Sequence, residues 1–133
     1  MRYTNNAIFT RIRNAVKAEF ANANCVQTYS PTPAHLPTVF ARELGHFTPQ
    51  QAWTLTNAQD ISECTWEVQV FSNLKTGAKE QAYKLMNGVK GALRQLYFVE
   101  TFESPLDQTD RTIYCLAARF RRIIGSGEEM PNT

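Results

Sequence analysis

Residues 66–96, WEVQVFSNLKTGAKEQAYKLMNGVKGALRQL, change their hydrophobic period from about two to about 3.6 residues. Strand side chains alternate between the two faces of a sheet, so every second residue shares a face. One face of this strand carries Trp66, Val68 and Val70, and the other carries Glu67, Gln69 and Phe71. The sequence therefore predicts a half-buried strand over residues 61–72.

The second part of this stretch predicts an amphipathic helix over residues 77–96. Thr76 is a candidate N-cap, because its hydroxyl can accept a hydrogen bond from the first free amides of the helix. Gly88 and Gly91 each cost about 0.8–1 kcal/mol relative to alanine in a helix interior, so they indicate close approach of a neighbouring backbone. The apolar stripe consists of Ala78, Ala82, Leu85, Val89, Leu93 and Leu96.

The remaining segments extend this strand and helix into an α+β domain. Apolar residues recur at steps of three and four in residues 5–21, which predicts a first amphipathic helix. The segment TVFAREL at 38–44 favours a strand, although Pro37 and Gly45 would also frame a helix. Further strands are predicted at 25–29, 97–103 and 112–124, the last two forming a hairpin around a turn at 104–111. We therefore expect a mostly antiparallel or mixed sheet with two amphipathic helices packed on one face.

The size and composition of the chain fit one small domain. A chain of 133 residues, of which 43% are hydrophobic, buries roughly two-thirds of its unfolded surface. We expect this domain over residues 1–124 and a flexible tail over residues 125–133. Residues 46–60 are rich in Gln, Asn and Thr and predict a long loop or arm, and such loops are usually functional or disordered.

Charge, cysteine content and hydropathy exclude several classes of protein. A net charge of +2 with 20% charged residues does not indicate a protein that binds highly charged polymers such as nucleic acid. Cys25, Cys64 and Cys115 are far apart and odd in number, which favours free thiols over a disulfide framework. No segment approaches the roughly 20 apolar residues of a spanning helix, so we expect no membrane partner.

The spacing of reactive side chains predicts no enzymatic activity, no cofactor and no structural metal. NLKTGAKE at 73–80 lacks the spacing of a triphosphate-binding loop, which favours a plain helix start. Some residues in the first half of the chain are of types that bind zinc, but their spacing is not that of a zinc site. They are His35, His46, Cys25 and Cys64. Several carboxylates lie in or beside a predicted turn, where charged side chains are usually solvated. The alternative is that they bind the metal ions of a nuclease. They are Glu100, Glu103, Asp107 and Asp110.

The basic cluster of the chain is RFRR at residues 119–122. Arginines at a strand end are usually solvated or paired with carboxylates, and the alternative is contact with nucleic acid. Arg119, Arg121 and Arg122 are the candidate DNA-contacting residues, and Arg111 would join them in a DNA-binding module.

Four consecutive segments carry a resemblance to a known family. They are WEVQVFSN at 66–73, the helix GAKEQAYKLMNGVKGALRQL at 77–96, YFVETFESP at 97–105 and DRTIYCLAARFRRII at 110–124. In this order they resemble the tail-terminator and tail-completion proteins, which join head and tail in long-tailed bacteriophages. Cys115 stands where that family usually has an arginine.

The resemblance implies a structural virion protein that forms a ring, hexameric in this family, at the head-proximal end of the tail. Such a ring terminates the tail tube and joins it to the head connector. The implied partners are further copies of the chain, the tail tube protein and a head completion or connector protein. The implied location is the head-tail junction of the virion, and the host cytoplasm during assembly.

The resemblance also suggests roles for particular side chains. Phe47, Trp53 and Leu55 in the arm would contact an adjacent subunit or the tail tube, because isolated aromatics in a polar segment often complete an interface. Glu67, Gln69 and Phe71 would be available to a neighbour, and the three arginines would face the lumen and passing DNA. The alternatives are a head-side connector or stopper ring, a small DNA-binding module, and an intracellular domain of another role.

Overall fold

The strand predicted from the change of period is the middle strand of a five-stranded sheet. The computed structural model describes residues 5–27, 37–47, 61–74, 76–106 and 112–125. Within them the elements are α1 (Asn5–Glu19), β1 (Asn24–Val26), β2 (Thr38–Phe47), β3 (Ile61–Ser72), α2 (Ala78–Gln95), β4 (Val99–Leu106) and β5 (Tyr114–Gly125). The strand order is β1-β2-β3-β5-β4, with β1 parallel to β2 and all other neighbours antiparallel. The predicted α+β fold with a mixed sheet is confirmed.

The main hydrophobic core lies between the sheet and the two helices. Trp66, Val68 and Val70 are fully buried in it, on the face that the alternation predicts. The buried side chains contributed by the helices are Ile8, Ile12 and Val16 of α1 and Ala82, Leu85, Met86, Val89 and Leu93 of α2. Both amphipathic helices thus pack on one face of the sheet, the helix face, and we call the opposite one the far face.

Gly88 in α2 permits the close approach of α1. A Cβ atom at this position would lie 2.9 Å from Cγ of Glu19 and 3.5 Å from the carbonyl oxygen of Ala15. The predicted close approach is therefore confirmed at Gly88. It is wrong at Gly91, where a Cβ atom would have no heavy atom of the described chain within 4 Å.

The start of α2 differs from the prediction. The helix begins at Ala78 and its N-cap is Gly77, with φ of 88°, so the predicted N-cap at Thr76 is wrong. A left-handed backbone costs glycine little because it has no Cβ atom, which explains why Gly77 takes this position. The hydroxyl of Ser72 donates a buried hydrogen bond to Oε1 of Gln81, which ties the first turn of α2 to the end of β3.

β2 is longer than its predicted strand and includes the start of the predicted arm. It runs to Phe47, so His46 and Phe47 belong to a strand. Gly45 does not end this strand, because it pairs with Thr65 after a register shift. The remaining residues of the arm, 48–60, lie outside the described residues.

β4 also extends beyond its prediction, into the segment expected to form a turn. Ser104, Pro105 and Leu106 pair with β5. Proline is tolerated here because β4 is an edge strand, where an amide hydrogen is not required on the outer side. The tail was predicted from residue 125, but Gly125 is the last residue of β5. Residues 107–111 and 126–133 lie outside the described residues.

Candidate functional site

The far face of the sheet is organised around a buried carboxylate. Glu67 on β3 lies between its cross-strand neighbours Arg42 on β2 and Arg119 on β5. Nε of Arg119 donates to Oε2 of Glu67 at 3.1 Å, and Nη2 of Arg42 lies 3.5 Å from Oε1. The Glu67 side chain is 9% exposed, whereas those of Arg42 and Arg119 are 50% and 53% exposed. The two guanidinium groups therefore cover the carboxylate and remain half open to solvent.

A second ion pair and two aromatic rings hold the arginines of this face. Nη1 of Arg121 donates to Oε1 of Glu63 at 3.0 Å. The guanidinium of Arg42 lies 5.5 Å from the ring centroid of Phe40, and that of Arg119 lies 5.8 Å from the centroid of Phe102. These distances allow cation–π attraction in addition to charge pairing. For Arg119 and Arg121, the interpretation as arginines paired with carboxylates is confirmed.

The outward side chains of β3 are less available than predicted. Phe71 is 1% exposed and forms a small cluster with Phe40 and Cys115, against which Val26 and Ile113 pack. Glu67 is covered by its two arginines, so the expectation that it and Phe71 are open to a neighbour is wrong. The reason is that β3 is a central strand whose cross-strand neighbours carry large side chains on this face. Gln69 is the partly exposed member of the predicted set, and its amide donates to Oε1 of Glu67 at 3.4 Å.

Arg122 does not join Arg119 and Arg121, because successive strand residues point to opposite faces. It lies on the helix face, where its Nη1 donates to the carbonyl oxygen of Leu96 at 2.7 Å. Its guanidinium also lies 5.0 Å from the ring centroid of Tyr97, a residue with φ of 64° that follows the end of α2. The three candidate arginines therefore do not share one face of the sheet, and Arg122 binds the C-terminal end of α2.

This placement predicts different effects for two adjacent arginines. We expect Arg122→Ala to lower the free energy of unfolding by about 1–2 kcal/mol, because it removes a charged hydrogen bond to a helix-terminal carbonyl. The matched control Arg121→Ala removes an ion pair of a half-exposed side chain and should cost less than about 0.5 kcal/mol. Urea unfolding of both variants measures the difference, and equal costs would contradict the assignment of Arg122 to the end of α2.

Two β-bulges determine which side chains the outer strands present. The register shifts on β2 between Glu43 and Gly45 and on β4 between Glu100 and Phe102, so Leu44 and Thr101 are the extra residues. A bulge reverses the alternation of side chains, and as a result Val99 and Phe102 share the far face. The exposed fractions are 37% for Leu44, 64% for Val99, 45% for Phe102 and 38% for Leu106. The outer strands thus carry large exposed apolar side chains that the sequence alone did not identify.

Two of the carboxylates considered for a nuclease site are bound to an ammonium group. Nζ of Lys90 in α2 lies 2.6 Å from Oε2 of Glu103 and 3.2 Å from Oε2 of Glu100. Burial by itself would lower the pKa of Lys90, but hydrogen bonds and charge from Glu103 and Glu100 outweigh it and raise the pKa. Asp107 and Asp110 lie outside the described residues. The interaction joins α2 to the edge strand β4.

The cysteines are free, as predicted. Burial raises the pKa of the Cys25 and Cys64 thiols to about 12 and that of Cys115 to about 11. All three are therefore protonated at neutral pH and are poor nucleophiles. In the parts of the chain that the structure describes, no group of three or more His, Cys, Asp or Glu side chains could hold a metal ion, and neither helix is long and apolar enough to cross a membrane.

The remaining predicted contacts are only partly placed. Phe47 pairs with Glu63 at the end of β2. Trp53, Leu55, Arg111 and His35 lie outside the described residues. No protein-family model and no curated protein matches this chain.

Proposed function

We propose that this chain is a structural virion protein that forms a ring at the head-proximal end of a phage tail. The ring would terminate the tail tube and join it to the head connector. The order of strand, helix and hairpin that resembles the tail-terminator family supports this assignment. The observation that carries it is the set of exposed apolar side chains on the edge strand β4, together with Leu44 in the part of β2 that β1 does not cover.

Exposed apolar side chains on the outer strands favour a protein that works by association. An open strand edge with apolar side chains is a template for pairing with another chain, and soluble proteins usually avoid or cover it. Val99, Phe102 and Leu106 lie on β4 and Leu44 lies on β2. A ring of identical subunits would cover these side chains, because each subunit uses two different surfaces to contact its two neighbours.

The DNA-binding alternative receives less support from the far face. Binding through counterion release needs arginines or lysines that can neutralise phosphates. Arg119 and Arg121 already neutralise Glu67 and Glu63, and Arg122 lies on the other face of the sheet. A head-side connector or stopper ring would use the same kind of self-association, and tail-tube binding separates it from a terminator.

The assembly prediction can be tested with purified protein and assembled tail tubes of long-tailed phages. We expect the wild-type chain to form closed rings, hexameric by resemblance to the family, at high concentration or on tube ends. Analytical ultracentrifugation gives the mass, and negative-stain electron microscopy gives the symmetry and the position on the tube. Because association is governed by mass action, dilution should return the free rings to monomers.

Two outcomes separate the parts of this proposal. A protein that remains monomeric at every concentration and does not bind tubes would refute the terminator function. The double variant Phe47→Ala, Trp53→Ala tests the arm, and it should lose tube binding or rings while its circular dichroism is unchanged. Phe47 ends β2 and Trp53 lies in the rest of the predicted arm, so normal assembly of this variant would remove these two side chains alone from the proposed contact surface.

A further inference from the structure

We infer that the ring closes edge to edge, with β4 of one copy packed beside residues 41–47 of β2 in the next copy. In this contact Val99 and Phe102 of one copy lie against Leu44 of its neighbour. The inference rests on the proposed function, because it names the surfaces through which the proposed ring is built. The occupant of each open edge is a second copy of the chain.

Both edges of the sheet are open over part of their length within the described residues. β4 pairs with β5 on its inner side and has no described strand on its outer side. β1 covers only Thr38, Val39 and Phe40 of β2, which leaves residues 41–47 without a described outer partner. Each edge presents backbone groups that a further strand could pair.

The directions of the two open strands are compatible. β2 is antiparallel to β3, β3 to β5 and β5 to β4, so β2 and β4 run in opposite directions. When the next copy in a ring presents its β4 to β2, the two strands are therefore antiparallel. Antiparallel pairing needs no crossover connection and is the commoner arrangement in sheets.

The two bulges lie one row apart across the sheet. The paired row that runs from β2 to β4 is Gly45, Thr65, Arg121 and Val99, and the adjacent row is Glu43, Trp66, Phe120 and Glu100. Leu44 falls between these two rows, whereas Thr101 falls between the second row and the row of Arg42 and Phe102. Gly45 on one edge and Val99 on the other thus have the same height along the strands, and Leu44 lies within one residue of that height.

Equal height is what a closed ring requires. Rotation about a ring axis changes no height along that axis, so in a ring whose axis follows the strands, residues of one row meet residues of the same row. Gly45 then meets Val99, and Leu44 lies next to Gly45. Leu44 and Val99 are exposed apolar side chains in the single copy, at 37% and 64%. The contact removes both from water.

The next row whose side chains lie on the far face adds an arginine and an aromatic ring to the contact. Arg42, Glu67, Arg119 and Phe102 form that row from one edge to the other. Continuing the row into a neighbour places the half-exposed Arg42 beside Phe102, which is 45% exposed. Arginine over phenylalanine is a contact that this face already makes within one copy, at Phe40 and at Phe102. The two edges are therefore complementary to each other in both apolar and cationic character.

Pro105 limits how far the strands can pair. It shares a row with Val39, Val70 and Leu116, and β1 already covers β2 at that row. Because β1 occupies this position beside β2, the end of β4 that contains Pro105 cannot pair with β2 of the neighbour. Pro105 has no amide hydrogen and could not donate to such a pairing. Main-chain pairing is confined to residues 99–103 of one copy and residues 41–47 of the next.

A mixing experiment tests this contact. Leu44→Lys damages the β2 edge and Val99→Lys damages the β4 edge, and each should weaken the contact on the order of thirtyfold or more by placing a charge in an apolar interface. Each variant alone should fail to form rings. Mixed in equal amounts, they should form dimers and stop, because β4 of the first variant and β2 of the second still make one intact contact. Analytical ultracentrifugation and electron microscopy provide the readout.

Leu74→Lys is the matched control, since Leu74 is 46% exposed but lies in the connection between β3 and α2. It should assemble as wild type does, and thermal unfolding should show that all three variants are folded. Rings formed by either edge variant, or a mixture that yields no dimers, would overturn the edge contact and leave the proposed function standing. A wild-type chain that never associates with itself or with tail tubes would overturn both.

Discussion

Leu85→Ala and Leu93→Ala are each expected to lower the free energy of unfolding by about 2–5 kcal/mol. Both side chains are fully buried between α2, α1 and the sheet. Truncation removes apolar contacts and leaves a cavity that the surrounding helix and strands fill only in part. Urea unfolding monitored by circular dichroism measures the cost directly.

An exposed leucine, Leu74, provides the control for the two core substitutions. Leu74→Ala removes the same atoms from a side chain that is 46% exposed, and it should change stability by no more than about 0.5 kcal/mol. Loss of stability at Leu85 and Leu93 alone supports their position in the core. Near wild-type stability of both core variants would contradict the packing of α2 on the helix face.

The helix face could be predicted from the sequence because local periodicity decides it. Trp66, Val68 and Val70 alternate, and Leu85 and Leu93 recur on one side of a helix, so each set has a single face to bury. These patterns depend only on neighbouring residues. They yielded the residues of β3 and the location of α2 to within a residue or two at its ends.

The sheet edges could not be predicted in the same way. A bulge is defined by the strand that lies opposite, and nothing in LGHF or ETFE shows which residue is extra. Simple alternation places Val99 and Phe102 on opposite faces, whereas the extra residue Thr101 places them together. The exposed apolar edge of β4 therefore becomes visible only when its register with β5 is known.

The arginine cluster shows a second limit of local reasoning. RFRR is one basic segment in the sequence, and alternation along a strand, itself a local pattern, places Arg122 on the opposite face from Arg119 and Arg121. The carboxylates that pair with the latter two, Glu67 and Glu63, are more than fifty residues away in the chain. Their pairing depends on strand order, which a single sequence does not determine.

The largest predicted effect of pH is a loss of stability in mildly alkaline solution. Cys64 and Cys115 are almost completely covered, and burial raises their pKa values from 9.0 to about 12 and about 11. In the unfolded chain these thiols lose their protons near pH 9, whereas in the folded protein they keep them. The unfolded state then binds fewer protons than the folded state, so the free energy of unfolding falls as pH rises.

The expected size follows from the pH interval. Full stability is present below about pH 9, and at pH 10 each covered thiol should have removed about 1.4 kcal/mol, or roughly 3 kcal/mol for the pair. Lys90, whose pKa is raised from 10.5, acts in the same direction only at higher pH. Burial also raises the pKa of Tyr114 from 10.0, so Tyr114 adds to the decline from about pH 10 and the thiols dominate below that pH. The loss should continue towards pH 11, where the Cys115 contribution levels off.

Urea unfolding between pH 7 and pH 10, under reducing conditions, tests this expectation when each protein is compared with its own value at pH 7. The double variant Cys64→Ala, Cys115→Ala starts from a lower stability because of the cavities it creates, but it should lose most of the alkaline decline. Cys25 is partly exposed and remains in both proteins, so its contribution is present in both and cancels in the comparison. If the free energy of unfolding of the double variant falls by the same amount between pH 7 and pH 10, groups other than these two thiols cause the loss of stability.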